Sequence, residues 1–100
     1  MPSIWSVYII ENKLGHWYTG VTVDVARRFA EHSAGGVKGA KALKGKGPLT
    51  LISAYDCPDK QTAYRLEYWI KQQSKSNKRR FTEGLYPAPF AYTLHQTKCN

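Results

Sequence analysis

Two short stretches of period-two patterning at the N-terminal end constrain this chain more than any other feature. From Ile4 to Ile10, the set Trp5, Val7, Ile9 alternates with Ser6, Tyr8, Ile10, the spacing of a β-strand. Glu11-Asn12-Lys13-Leu14-Gly15 supplies the residues of a hairpin turn, and His16 to Val21 reads as a second strand, antiparallel to the first. Gly20 stands near the end of that strand, where a missing side chain permits a bend or a close approach by substrate.

The spacing then changes to that of helices. Thr22 or Asp24 is placed to cap a helix whose inner stripe is read as Val25, Ala26, Phe29 and Ser33, ending at Gly35-Gly36. The Lys/Gly/Ala-rich stretch from Val37 to Pro48 carries a short helical turn around Ala40 to Leu43, and Leu49 to Tyr55 is predicted as a third strand. A long helix follows from Lys60 to Lys75, with Ala63, Leu66, Ile70 and Gln73 on one side, and a further helix from Ser76 to Glu83. The expected fold class is α/β of the α+β type: a small three-stranded, mostly antiparallel sheet flanked by helices, in the order β-β-α-β-α-α. It occupies residues 1–84, and residues 85–100 form a C-terminal tail without a legible pattern.

Among the 100 residues, 42% are hydrophobic, too apolar for a disordered chain. No apolar run approaches the ~18 residues of a membrane helix, and Met1-Pro2-Ser3-Ile4-Trp5 lacks the layout of a signal peptide, so a cytoplasmic protein is expected. Cys57 and Cys99 form no C-x-x-C pair and are expected to be free thiols. Fifteen Lys and Arg against seven Asp and Glu give a net charge of +8. The excess is clustered. No acidic residue occurs between Ser33 and Tyr55, where Lys38, Lys41, Lys44 and Lys46 recur, and Lys75, Lys78, Arg79 and Arg80 form a second group. Clustered cations suit a phosphate backbone better than a generally solvated surface.

Several residues carry reactive or charged groups in an ordered series. Tyr8 and Tyr18 stand one on each hairpin strand, Asp24, Arg28 and His32 recur every four residues along the first helix, and Glu67 lies beside the apolar stripe of the long helix. Each has an ordinary explanation: core tyrosines, and the i,i+4 pairs Asp24–Arg28 and Glu67–Lys71. Taken together, Val7-Tyr8-Ile9, Tyr18-Thr19-Gly20, Arg28-Phe29 with His32, and the distant Glu67 resemble the GIY-YIG nuclease superfamily. The run Tyr18-Thr19-Gly20-Val21-Thr22-Val23-Asp24, with Gly39-Ala40-Lys41 and Ala63-x-x-x-Glu67-x-x-x-Lys71, is similar to the short stand-alone bacterial group of that superfamily. Ser6, Val7 and Thr19 depart from the name motifs at positions that shape the strands.

The resemblance implies a metal-dependent endonuclease that hydrolyses DNA phosphodiester bonds, selective for a branch, nick or flap and linked to repair or recombination. The alternative is a catalytically silent nucleic-acid-binding module acting with a protein partner. In the nuclease, Glu67 holds Mg²⁺ or Mn²⁺, an ion that accepts one protein carboxylate completed by water and phosphate. Arg28 presents a planar cationic fork to phosphate oxygens. Tyr18 is preferred to Tyr8 as general base because it lies nearer Gly20 and Arg28, and His32 positions water or phosphate or assists proton transfer. Lys38, Lys41, Lys44, Lys46, Lys71 and Lys75 are expected to contact the backbone, positioning it without reading bases.

Overall fold

In the computed structural model, which describes residues 4–35 and 39–95, the first strand, β1 (Trp5–Glu11), is buried on both faces. It pairs antiparallel with β2 (Trp17–Thr22) on one side and with β3 (Thr50–Cys57) on the other. Its alternation sorts two cores. Val7 and Ile9 face α2 (Lys60–Gln72) and α3 (Lys75–Thr82), together with Leu66, Ile70 and Phe81. Tyr8 and Ile10 face α1 (Val25–Ala34), together with Val25 and Leu43. Ile9, Ile10 and Leu66 are fully buried, each contributing roughly 1.5–3 kcal/mol relative to exposure.

The sheet has four strands where three were expected, in the order β2-β1-β3-β4, and it is wholly antiparallel. The added strand, β4 (Thr93–Leu94), pairs Leu94 with Tyr55 and Thr93 with Asp56. It is too short to show a period. Tertiary contacts hold it: Tyr92 meets Tyr55 edge-on at 5.6 Å, and the His95 amide donates to the Ala54 carbonyl at 2.9 Å. Ala88 and Tyr92 join the core beside Phe81, so residues 85–95 pack onto the sheet.

The helices correct the expected stripes and bounds. In α1, Val25 and His32 are buried and Phe29 is half-buried, whereas Ala26 and Ser33 are exposed. Each exposed residue sits about 100° around the helix from a buried neighbour. Both cap candidates contribute: Asp24 accepts from the Arg27 amide at 3.0 Å, and the Thr22 hydroxyl accepts from the Asp24 amide at 3.1 Å. Gly35 closes the helix in a left-handed conformation. The predicted Lys60–Lys75 helix stops at Gln72 because Ser74 caps α3, its hydroxyl accepting from the Asn77 amide at 3.2 Å. The short helical turn is a 3₁₀ turn, Lys41–Leu43. Buried Cys57 is a free thiol, and Cys99 lies outside the described residues.

Candidate active site

Strand register sets the site. Tyr8 lies opposite Gly20 and Ile10 opposite Tyr18, so the two tyrosines are diagonal neighbours on the α1 face, with ring centroids 6.3 Å apart. A Cβ on Gly20 would collide with the Tyr8 ring and hydroxyl. The close approach inferred for Gly20 is therefore made by Tyr8, whose ring lies across the neighbouring strand.

The Tyr8 hydroxyl meets His32 Nε2 at 2.9 Å, and the Ala40 amide donates to His32 Nδ1 at 2.9 Å. An N–H pointing at Nδ1 requires a lone pair there. The ring therefore carries its proton on Nε2 and donates it to the Tyr8 oxygen. Burial, followed by the charge of Arg28, holds the His32 pKa below its ordinary value, which favours this neutral form. His32 is only 2% exposed and both ring nitrogens are engaged. It thus supports Tyr8 and anchors Ala40, and in this arrangement neither nitrogen is available to water or phosphate.

Burial pushes Tyr8 up to about 12, with neighbouring Tyr18 adding to the rise and Arg28 opposing it. Tyr8 keeps its proton at neutral pH. Tyr18 is half-buried on the same face, its ring edge-on to His32 at 5.6 Å. Arg28 is half-buried; one guanidinium nitrogen lies 3.0 Å from Glu31 Oε1, an i,i+3 pair. The anticipated Asp24 pairing does not form because Asp24 is engaged as the helix cap. Partial burial works against the charged guanidinium, but hydrogen bonds to Glu31 and Tyr8 outweigh it and raise the Arg28 pKa. Sequence reasoning missed Glu31, although its spacing from Arg28 was visible.

The structure thus gathers Tyr8, Tyr18, Arg28 and His32 on one face. Glu67 belongs to α2, which packs against β1, β2 and β3 from the other face. Its side chain is 18% exposed, and its carboxylate pairs with Lys71 at 3.4 Å. Among the described residues, no group of three His, Cys, Asp or Glu side chains could cage a metal. A single carboxylate instead suits a hard divalent cation that keeps waters and takes substrate phosphate oxygens.

Lys41, Lys44 and Lys46 lie on the segment that Ala40 ties to His32. Its far end is held to the hairpin, where the Lys13 amide donates to the Lys46 carbonyl at 2.9 Å. Lys38 lies outside the described residues, and Lys75 begins α3, away from this segment in sequence. Among the described residues, no helix is long and apolar enough to cross a membrane.

Comparison with known proteins places the chain in a family. The model of the GIY-YIG catalytic domain matches residues 4–80. UPF0213 proteins of Yersinia pestis and Yersinia pseudotuberculosis are 53% identical over 76 residues, which is 76% of this chain and 78% of theirs. The solution NMR structure of a UPF0213 protein from Bacillus halodurans shares 42% identity at a TM-score of 0.53, covering 80% of this chain and 83% of that one. The chain belongs to the GIY-YIG family, a nuclease superfamily, alongside these short UPF0213 proteins.

Proposed function

We propose that the protein is a divalent-metal-dependent endonuclease that hydrolyses DNA phosphodiester bonds, is selective for a branch, nick or flap, and acts in DNA repair or recombination in the cytoplasm. The observation that carries this reading is the placement of Tyr18 and Arg28 on one face around a Tyr8–His32 pair that is already hydrogen-bonded. The sheet separates α1 from α2, and β2 is its outer strand at that end. A phosphate within reach of both Arg28 and Glu67 therefore sits at the open edge of β2, beside Tyr18 and Gly20.

The chemistry follows from these residues. Arg28 carries a permanent charge oriented by Glu31 and stabilises the non-bridging oxygens as phosphorus becomes five-coordinate. Tyr8 retains its proton, so the base is assigned to Tyr18: its hydroxyl first gives its proton to solvent, and the resulting phenolate oxygen takes the proton from the attacking water. The water oxygen bonds to phosphorus, the bond on the opposite side breaks, and the leaving oxygen takes a proton from solvent. Glu67 would hold Mg²⁺ or Mn²⁺, which when bound supplies charge for the developing oxyanion. Lys71 lies beside Glu67, and Lys41, Lys44, Lys46 and Lys75 contact the backbone.

The test is incubation with linear, nicked, flapped and branched DNA, with Mg²⁺, with Mn²⁺ and with EDTA. Cleavage of branched, nicked or flapped DNA, dependent on either metal, is expected. DNA bound without cleavage under every condition would overturn the nuclease reading in favour of a silent binding module that works with a partner.

A further inference from the structure

On the α2/α3 face, a pocket of about 210 Å³ opens between the hairpin and α3, lined by Gly15, His16, Trp17, Lys75, Lys78 and Arg79. Trp17 neighbours Tyr18 in β2 but packs with the opposite core. The pocket therefore lies across the sheet from the Tyr18–Arg28 site and is reached around the same open edge. The Arg79 guanidinium rests 5.9 Å from the centre of the Trp17 ring, within cation–π range. Trp17 is itself fixed, its Nε1–H donating to Glu11 Oε2 at 3.0 Å. That bond also engages the nearby Glu11 carboxylate.

The three cations each carry a small cost for the fold. Lys75, Lys78 and Arg79 occupy positions i, i+3 and i+4 of one helix face, where like charges repel. Lys75 is the first residue of α3, whose first turn has no acidic residue, so its charge also opposes the helix dipole. Among the described residues, no carboxylate forms a salt bridge with any of the three. An anion in the pocket relieves both costs, and a guanidinium held over the indole offers a planar fork matched to phosphate oxygens.

We infer that this pocket is a second phosphate-binding site, which holds the substrate's DNA backbone away from the scissile bond and wraps it around the β2 edge. The inference rests on the nucleic-acid reading above, and its test separates the two. Binding of fluorescein-labelled three-way-junction DNA would be followed by anisotropy in EDTA across a salt series. The Lys78→Ala/Arg79→Ala variant should raise Kd about tenfold and lower the log–log salt slope by about 2. Lys60→Ala/Arg65→Ala removes the same charge from α2 and should change Kd by no more than about twofold. Arg79→Lys keeps the charge and loses the planar fork, and should weaken binding about threefold. Thermal melts confirm that each variant folds. Equal weakening by the two double variants, or an Arg79→Lys variant that binds like wild type, would overturn the pocket and leave the nuclease reading intact. Wild-type protein that binds no DNA would overturn both.

Discussion

The two faces of the sheet are stabilised by different physics. On the α2/α3 face, Val7, Ile9, Leu66, Ile70 and Phe81 form an apolar core, with Tyr55, Trp69 and Tyr92 packed around Phe81 in tilted and edge-on contacts. On the α1 face, the centre is polar, with Tyr8 and His32 buried and hydrogen-bonded to each other. The first face tolerates small changes of shape at a graded cost. The second depends on a few directional bonds, each of which also fixes a functional group. Apolar packing is concentrated on one side and the Tyr8–Tyr18–Arg28–His32 cluster lies on the other, with Glu67 on the apolar side and β1 contributing to both through alternate residues.

Deleting packing from the apolar face should have the largest effect. Leu66→Ala should destabilise the protein by about 2–5 kcal/mol in urea unfolding, and a loss below about 1 kcal/mol would show that this face is not the main core. The next effect is on catalysis. Arg28→Ala and Glu67→Gln should each slow single-turnover cleavage at saturating enzyme by at least roughly 10²-fold, about 2.7 kcal/mol. Arg27 is exposed on the next position of α1, and Arg27→Ala should leave the chemical step nearly intact. Equal losses from Arg27→Ala and Arg28→Ala would break the assignment of the catalytic helix face.

Smaller effects sharpen the comparison within the polar face. Tyr8→Phe removes the acceptor of a buried N–H and should cost about 1–3 kcal/mol. Tyr18→Phe, on a half-buried ring, should cost under about 1 kcal/mol while abolishing cleavage. The reverse order of stability would mean that the His32 bond carries no weight. A further effect is on pH dependence. His32 is held below its ordinary pKa in the folded protein, so the unfolded chain binds the extra proton first as pH falls. Its contribution should be complete above about pH 6.5 and should be lost below it. Tyr8 has the opposite sign: its folded pKa is raised from 10.0 to about 12, so stability should fall as pH rises through that interval. Thermal melts from pH 5 to 8, compared with a His32→Gln variant, check the first. Absorbance titration at alkaline pH, compared with Tyr8→Phe, checks the second.

Much of this organisation was legible from local pattern. The hairpin followed from alternation and from the residues around Asn12, whose side chain accepts from the Leu14 and His16 amides. Capping and glycine signals placed α1, since Asp24 and Gly35 act within a few residues of where they stand. Tyr8, Tyr18, Arg28, His32 and Glu67 stood out by type and order. The break between α2 and α3 was expected between Lys75 and Ser76 and falls instead at Gln73–Ser74, because a serine caps or continues a helix according to the competing tertiary contacts.

The sequence by itself determined the periods, the hairpin turn and the cap of α1, because these depend on residues within a few positions of each other, and it displayed the series of reactive groups by type and order alone. Tertiary structure decided what required distant residues to meet. It made a two-residue β4 into a strand by packing Tyr92 against Tyr55, an interaction with no local signature. It paired Arg28 with Glu31 because Asp24 was committed to the cap. It also gave His32 its tautomer through the Ala40 amide, and set the Tyr8 ring against Gly20. A proton's position in a ring depends on which donor arrives from elsewhere in the chain, and only the folded molecule brings that donor into place.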